Sequence, residues 1–496
     1  MRRKMLFSVI FSVLPVLPVL PAAGVTHVEL LSPDLERRAK EIPVGESFFL
    51  EGLSLGDELG LAALELSRFE IFAPDSEIVI SGDDGVTRHP APDNAYFHGS
   101  IVGDPSSWAA FTVREAGGAR GLIARRGQYW ILANEGAGEA PVLQEIDADS
   151  QFASQLAGFS CGSERLETAG NALEELFAGV SPTSLEASRG AAAGAGASAG
   201  GSYTARIAVE TDWEFYQRFG NSQDATDYIG DLFAYLSTIY ATEVDTTLAL
   251  GTVFLYTSSS DPWQQTSTGC GMMEMGGYWN ANRSGEDRTI AHFLSGKSTG
   301  GGIAWVGVLC SGGFSVSLSA SGFSCPGMPD TGLYGGGYGF SGSISGSFNP
   351  GNPGIVWDIY VVSHEIGHNF NSPHSHCYEG LGGNSAAVDR CFAGQCGRSG
   401  CVCGGTSLPC STQGAGCGTI MSYCHLLGGL SNVSMTFGLG HAWGVEPERV
   451  PARMNAHVVS RAAGNPSCLA FIPPANAIFT DGFESGNTSA WTQVLP

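Results

Sequence analysis

An α+β fold preceded by a mostly β unit is predicted for this chain, and three observations carry that reading. Short apolar or alternating runs recur between residues 25 and 188, among them Glu77 to Ile80, Phe97 to Val102, Ala109 to Val113 and Tyr129 to Leu132. The stretch SRGAAAGAGASAGGS at 188–202 has nothing to bury and divides the chain. Beyond it, helical and strand patterns mix without βαβ alternation.

The elements follow in chain order. Residues 1–24 read as a secretory signal peptide: Arg2, Arg3 and Lys4, an apolar run from Met5 to Leu14, prolines at 15, 18 and 21, then Ala22-Ala23-Gly24 as a small-residue cleavage pattern. The run is too short and too proline-broken to cross a bilayer, so the expected product is secreted, extracellular and without a membrane span. Residues 25–188 form the first unit, in which the pattern turns helical from Leu166 to Phe177. The linker at 189–202 is a domain boundary and a site for proteolysis.

The second unit, residues 203–470, opens with a strand from Arg206 to Glu210 and a helix from Asp224 to Ala241. That helix carries Ile229, Leu232, Phe233, Leu236, Ile239 and Tyr240 on one apolar stripe. Ile303 to Leu309 reads as a strand, followed by a long Gly/Ser-rich loop to Gly354. Asp358 is expected to cap a helix reaching about Phe370, cored by Ile359, Val362, Ile366 and Phe370. A last helix is expected near Pro447 to Ala462. The tail, 471–496, reads as unfolded; its DGFESG run before Trp491 resembles a short C-terminal signature of exported bacterial proteins.

With 43% hydrophobic residues, 15% charged residues and 70 glycines in 496, the chain suits a loop-rich globular protein long enough for two or three domains. The net charge of -24, with no basic cluster past the N-terminus, argues against nucleic acid and anionic membranes as partners. Of 13 cysteines, 12 lie after residue 269, an even set that reads as six disulfides in an exported domain. Cys161 stands outside that set.

The segment His364-Glu365-Ile366-Gly367-His368-Asn369-Phe370-Asn371-Ser372-Pro373-His374 carries the chemistry. Histidines four apart sit one turn apart on a helix and can grip one metal from the same face. Glu365 is rotated to one side, where it can reach a water. Pro373 disfavours helix at Ser372, and Asn371 tolerates a left-handed backbone, so the chain can turn back and present His374. Three imidazoles leave one tetrahedral position open, as in a catalytic rather than a structural zinc site. His292, His376, His425, His441 and His457 lack this spacing and read as ordinary polar residues.

HEIGHNFNSPH resembles the extended zinc motif of the metzincin metalloproteases, most closely the adamalysin or reprolysin branch. The resemblance extends over most of residues 90–470. It implies a twisted mixed sheet plus helices, with a zinc cleft between two subdomains. It also implies a zinc metalloendopeptidase acting on protein or peptide substrates, with Glu365 as general base. Gly418-Thr419-Ile420-Met421-Ser422-Tyr423 is similar to the family's methionine turn, which would put Met421 under the imidazoles as a floor. Ile303 to Cys310 is similar to the family's substrate-binding edge strand. Asn465-Pro466-Ser467-Cys468 is similar to its domain end, which implies a Cys310–Cys468 disulfide. Phe97 to Val113 and Gly121-Leu122-Ile123 resemble the reprolysin propeptide.

Some positions depart from the pattern. Asn371 replaces the usual glycine, and Ser375 stands where adamalysins place aspartate. Tyr423 resembles the tyrosine of the astacin and serralysin branches, which implies a zinc or transition-state contact; a packed tyrosine is the other reading. The family's calcium site is not carried over, because its glutamate position holds Ala205. Cys161-Gly162 resembles the cysteine-glycine of metzincin propeptides, a cysteine switch through which the propeptide inhibits its own enzyme; a buried thiol or a disulfide to the second unit are the alternatives. Two other functions remain: a non-proteolytic zinc hydrolase, and a catalytically silent adhesive or binding module.

Overall fold

The computed structural model describes residues 26–29, 34–56, 60–133, 141–147, 149, 161–163, 166, 203–349 and 353–471. The expected signal peptide, the helical pattern after Leu166, the linker and the tail beyond Phe471 lie outside the described residues.

The N-terminal unit carries β1 (Thr26–Glu29), α1 (Leu35–Lys40), β2 (Ser47–Ser54), β3 (Leu61–Phe69), β4 (Glu77–Gly82), β5 (Gly85–Pro90), β6 (Ala95–Ile101), β7 (Ser107–Val113), β8 (Ala119–Arg125), β9 (Gln128–Ala133) and β10 (Val142–Glu145). One sheet has the order β1-β2-β3-β6-β7-β8-β9-β10. Successive side chains alternate between its faces, and both faces are apolar. Phe97, Ala109, Phe111, Ile123 and Trp130 join a core of this unit's own. Their sequence neighbours Tyr96, Ala110, Leu122, Ala124, Tyr129 and Ile131 join the core of the following unit. That is why these strands read as near-continuous apolar runs.

The second unit carries β11 (Tyr203–Thr211), α2 (Trp213–Tyr216), α3 (Ser222–Val244), β12 (Thr246–Tyr256), α4 (Thr268–Asn282), β13 (Ile290–Leu294), β14 (Gly302–Ala304), β15 (Phe314–Ser317), β16 (Thr331–Gly335), β17 (Tyr338–Ser341), α5 (Ile355–Asn369), α6 (Arg449–Gly464) and β18 (Leu469–Phe471). Its sheet has the order β14-β17-β13-β11-β12-β4-β5, with β18 pairing the start of β11. Hairpin β4–β5 therefore leaves the N-terminal sheet and extends this one. Mixed sheets with helices give the expected α+β class.

Four expectations need correction. Helix α3, begun by the Asn221 side chain accepting from Asp224 N at 2.8 Å, is buried well beyond one stripe, because the N-terminal sheet covers the side its own sheet leaves open. The strand at 303–309 shrinks to β14: Gly307 takes φ +67° and its N–H donates to His368 O at 2.9 Å, turning the chain onto the end of α5. The Gly/Ser-rich stretch contains β15, β16 and β17. Its glycines make room for neighbours, since a Cβ at Gly335 would lie 2.0 Å from the Phe314 ring and one at Gly339 2.8 Å from His292 Nδ1. Asp358 does not cap α5, whose N-cap is Gly354. Buried inside the helix, its carboxylate accepts from Ser345 N and Gly346 N, both at 3.0 Å, and from the Tyr228 hydroxyl at 2.5 Å.

Candidate metal centre

Every residue of α5 is buried, so a polar side chain there must find a partner or carry a function. His364 and His368, one turn apart, have ring centroids 4.9 Å apart. The helix ends as its sequence suggests: Asn371 takes φ +74°, and its N–H donates to His368 O at 2.8 Å. The reversed chain brings the His374 ring to 4.7 Å from His368 and 5.2 Å from His364. One ligand atom each from His364, His368, His374 and Cys161 lie within 4.8 Å of one another.

The outer nitrogens fix which way each ring faces. His364 Nδ1 meets Ile420 O at 2.7 Å, His368 Nδ1 meets Ser372 O at 2.7 Å, and His374 Nδ1 meets Gln395 Oε1 at 3.0 Å. A carbonyl oxygen only accepts, so each Nδ1 carries the proton and each Nε2 keeps its lone pair. Nε2 of His374 is buried without a hydrogen bond. Burial holds all three imidazoles neutral, with His364 pushed down to about 4 and His368 and His374 well below their ordinary range. Neutral imidazoles with a neighbouring thiol are a donor set that fits zinc.

Glu365 is fully buried beside this group. Burial pushes its carboxyl well above the usual range, opposed by hydrogen bonds from Cys161 and Ser163 to Oε2 at 3.7 and 3.4 Å. Gly302 makes the space: a Cβ there would fall 2.4 Å from Glu365 Cγ.

Cys161, outside the six disulfides, is buried with Sγ 3.3 Å from His368 Nε2. Its segment lies along β14, the outer strand of the sheet. Gly162 N donates to Gly302 O at 2.9 Å, and Ala304 N donates to Ser163 Oγ at 2.9 Å. A Cβ on Gly162 would lie 2.8 Å from Ile303 Cδ1, so glycine permits this close approach.

Met421 packs under the helix, where a Cβ at Gly367 would meet its Sδ at 2.6 Å. Its carbonyl accepts from Ser375 N at 2.9 Å, and the Ser375 hydroxyl donates to Asp389. A carboxylate thus reaches the position after His374 from 14 residues further along. The Tyr423 ring lies 4.7 Å from His374 and, nearly parallel, 6.2 Å from His364. Cys310 and Cys468 form one disulfide; the others are Cys270–Cys325, Cys377–Cys401, Cys391–Cys424, Cys396–Cys403 and Cys410–Cys417.

Sequence reasoning missed Gln395, Ser163 and Gly302. Gln395 Oε1 also accepts from His376 Nε2, so His376 is no ordinary polar residue: it is buried and holds the residue that orients His374. His292, His425 and His457 are buried as well, with His292 Nε2 2.9 Å from Ser341 Oγ and His425 Nδ1 2.9 Å from the Tyr360 hydroxyl. The one signal for Gln395 was its place between Cys391 and Cys396, in a loop rich in cysteine.

Residues 201–434 match the family model Reprolysin_5, metallo-peptidase family M12. No curated protein sequence matches. Among solved structures, metalloproteinase-II from Bacteroides fragilis is similar at 12% identity and a TM-score of 0.34, covering 72% of this chain and 90% of that one, a likeness too loose to carry an argument. The matched span contains the three histidines, Glu365, Met421 and Tyr423, so all of these residues lie in the part of the chain that is similar to the reprolysin-type metallopeptidases of family M12.

Proposed function

We propose that this chain is a secreted zinc-dependent metalloendopeptidase made as a latent precursor, with domains divided as 1–24, 25–188, 189–202, 203–470 and 471–496. One observation carries the reading: three neutral imidazoles face one point, with the carboxyl of Glu365 beside it. His364, His368 and His374 would hold zinc, which when bound polarises the scissile carbonyl and acidifies water. Glu365 takes the proton of the attacking water and delivers it to the leaving amine. A silent binding module would have no use for that carboxyl. Once Cys161 to Ser163 leave it, the outer edge of β14 receives the substrate backbone as an added strand. Tyr423, against His374, steadies the charge that develops on the carbonyl oxygen.

Latency follows from Cys161. Its thiolate would complete the donor set around a bound zinc and exclude water, while Gly162 and Ser163 occupy the strand edge that substrate needs. The exported cysteine-rich composition and the linker agree with activation outside the cell.

Casein hydrolysis by the purified protein, with the linker cut and uncut, tests this. The cut protein should hydrolyse casein, and chelator should abolish that; hydrolysis that survives complete metal removal would sink the proposal. Full-length Cys161→Ala should hydrolyse peptide before the linker is cut, whereas the unaltered precursor should not. If both precursors stay silent, cover by residues 25–188 is the source of latency and Cys161 is incidental.

A further inference from the structure

We infer that the N-terminal unit stays bound after the linker is cut, so that the active protein is a two-chain particle in which residues 25–147 act as a permanent subunit. Three separate contacts bring this about, none of them involving the metal cluster.

The first is the shared sheet. Strand β4 pairs in parallel with β12, Ile78 to Ser81 against Val253 to Tyr256. The pairing continues outward: Leu250 N donates to Ile71 O at 2.7 Å, Ala73 N to Leu250 O at 2.8 Å and Thr257 N to Ser81 O at 2.9 Å. Without this hairpin, β12 would present an open edge of buried apolar residues to solvent.

The second is the covered side of α3. Gly230 lies in mid-helix, where a Cβ would fall 2.2 Å from the Tyr96 hydroxyl, so the helix is notched to receive a side chain of the other unit. Beside that notch Arg114 reaches Asp231 at 3.2 Å and Asp227 at 3.8 Å, and Asn94 donates to Asp227 at 2.8 Å. Both aspartates are buried, and their cation comes from the N-terminal unit alone among the described residues. Departure of that unit would bare a helix face built for burial, carrying two carboxylates spaced for one arginine.

The third contact supports the chain that follows Met421. Trp108 Nε1 donates to Met435 O at 2.9 Å, and the Tyr129 hydroxyl donates to Val433 O at 2.7 Å.

The segment at Cys161 sits elsewhere. Hairpin β4–β5 holds one edge of the sheet, while Cys161 to Ser163 lie on β14 at the opposite edge. Release of the metal cluster therefore does not require release of the unit, and binding is read without any assay of hydrolysis.

The full chain, with a recognition sequence for a site-specific protease inserted in the linker, is folded, cut completely, and passed over a sizing column at 1 µM. The two fragments are expected to elute as one particle, in 1 M salt as well, because strand pairing and apolar packing dominate the contact. Arg114→Met, cut in the same way, should dissociate at a concentration at least tenfold higher than the unaltered pair. Separate elution of the unaltered fragments, each monomeric, overturns the inference, whatever the hydrolytic activity of either. If Arg114→Met fails to fold, elution of the unaltered pair decides alone.

Discussion

The two histidines on α5 and the third beyond its end are oriented by partners of different kinds. His364 and His368 donate to main-chain carbonyls, those of Ile420 and Ser372, which no side-chain substitution removes. His374 donates to the side chain of Gln395, which lies in a loop cross-linked by Cys377–Cys401 and Cys396–Cys403. One half of the centre is thus built into the backbone, while the other hangs on a single amide. The helix side should tolerate variation around it, and the loop side should be tunable or breakable from a residue that touches no metal.

The largest break on the helix side is Glu365→Gln, which keeps all three imidazoles and removes the proposed base. Peptide hydrolysis should fall by about 10²–10⁴-fold with metal content unchanged, measured on the protein after linker cleavage. Near-full activity would move the base elsewhere. The loop side is probed by Gln395→Leu, which should weaken metal affinity by about 10–100-fold in a chelator competition, as loss of an orienting partner does. Ser372→Ala keeps its carbonyl and should leave that affinity unchanged. Equal effects in the two variants would erase the distinction between the halves. The smallest change is expected from Tyr423→Phe, which keeps the ring against His374 and removes the hydroxyl. Turnover should fall with KM unchanged, and an unaltered rate would return Tyr423 to packing.

The histidine segment was legible because its information is local. Helical spacing, a left-handed residue and a proline within 11 residues prescribe a metal-sized convergence, and the structure has each of them. Gln395 was not legible, because its loop has no period and its path is set by disulfides and by His376. Glu77 to Ile80 reads correctly as a strand, but alternation says nothing about which sheet a strand joins, and its partner comes from the other unit. The apolar stripe of α3 was the visible half of a helix buried on both sides; the other half is disguised as Asp227, Asp231 and Gly230, polar or featureless until Arg114 and Tyr96 are set against them. Glycine-rich sequence between Leu309 and Gly354 conceals β17, since glycine marks an inner strand when its neighbours fill the space of a Cβ.

The shared hairpin also sets a timetable for folding. Ser81 and Thr257 meet across 176 residues, and pairings of such separation form late and slowly. In the intact precursor that search is unimolecular, and its rate is independent of protein concentration. Once severed and denatured, the same two pieces must find each other by diffusion, and recovery becomes second order. On the proposed division of the chain, the linker thus serves folding before any cut: it keeps the late strand within reach until the sheet has closed.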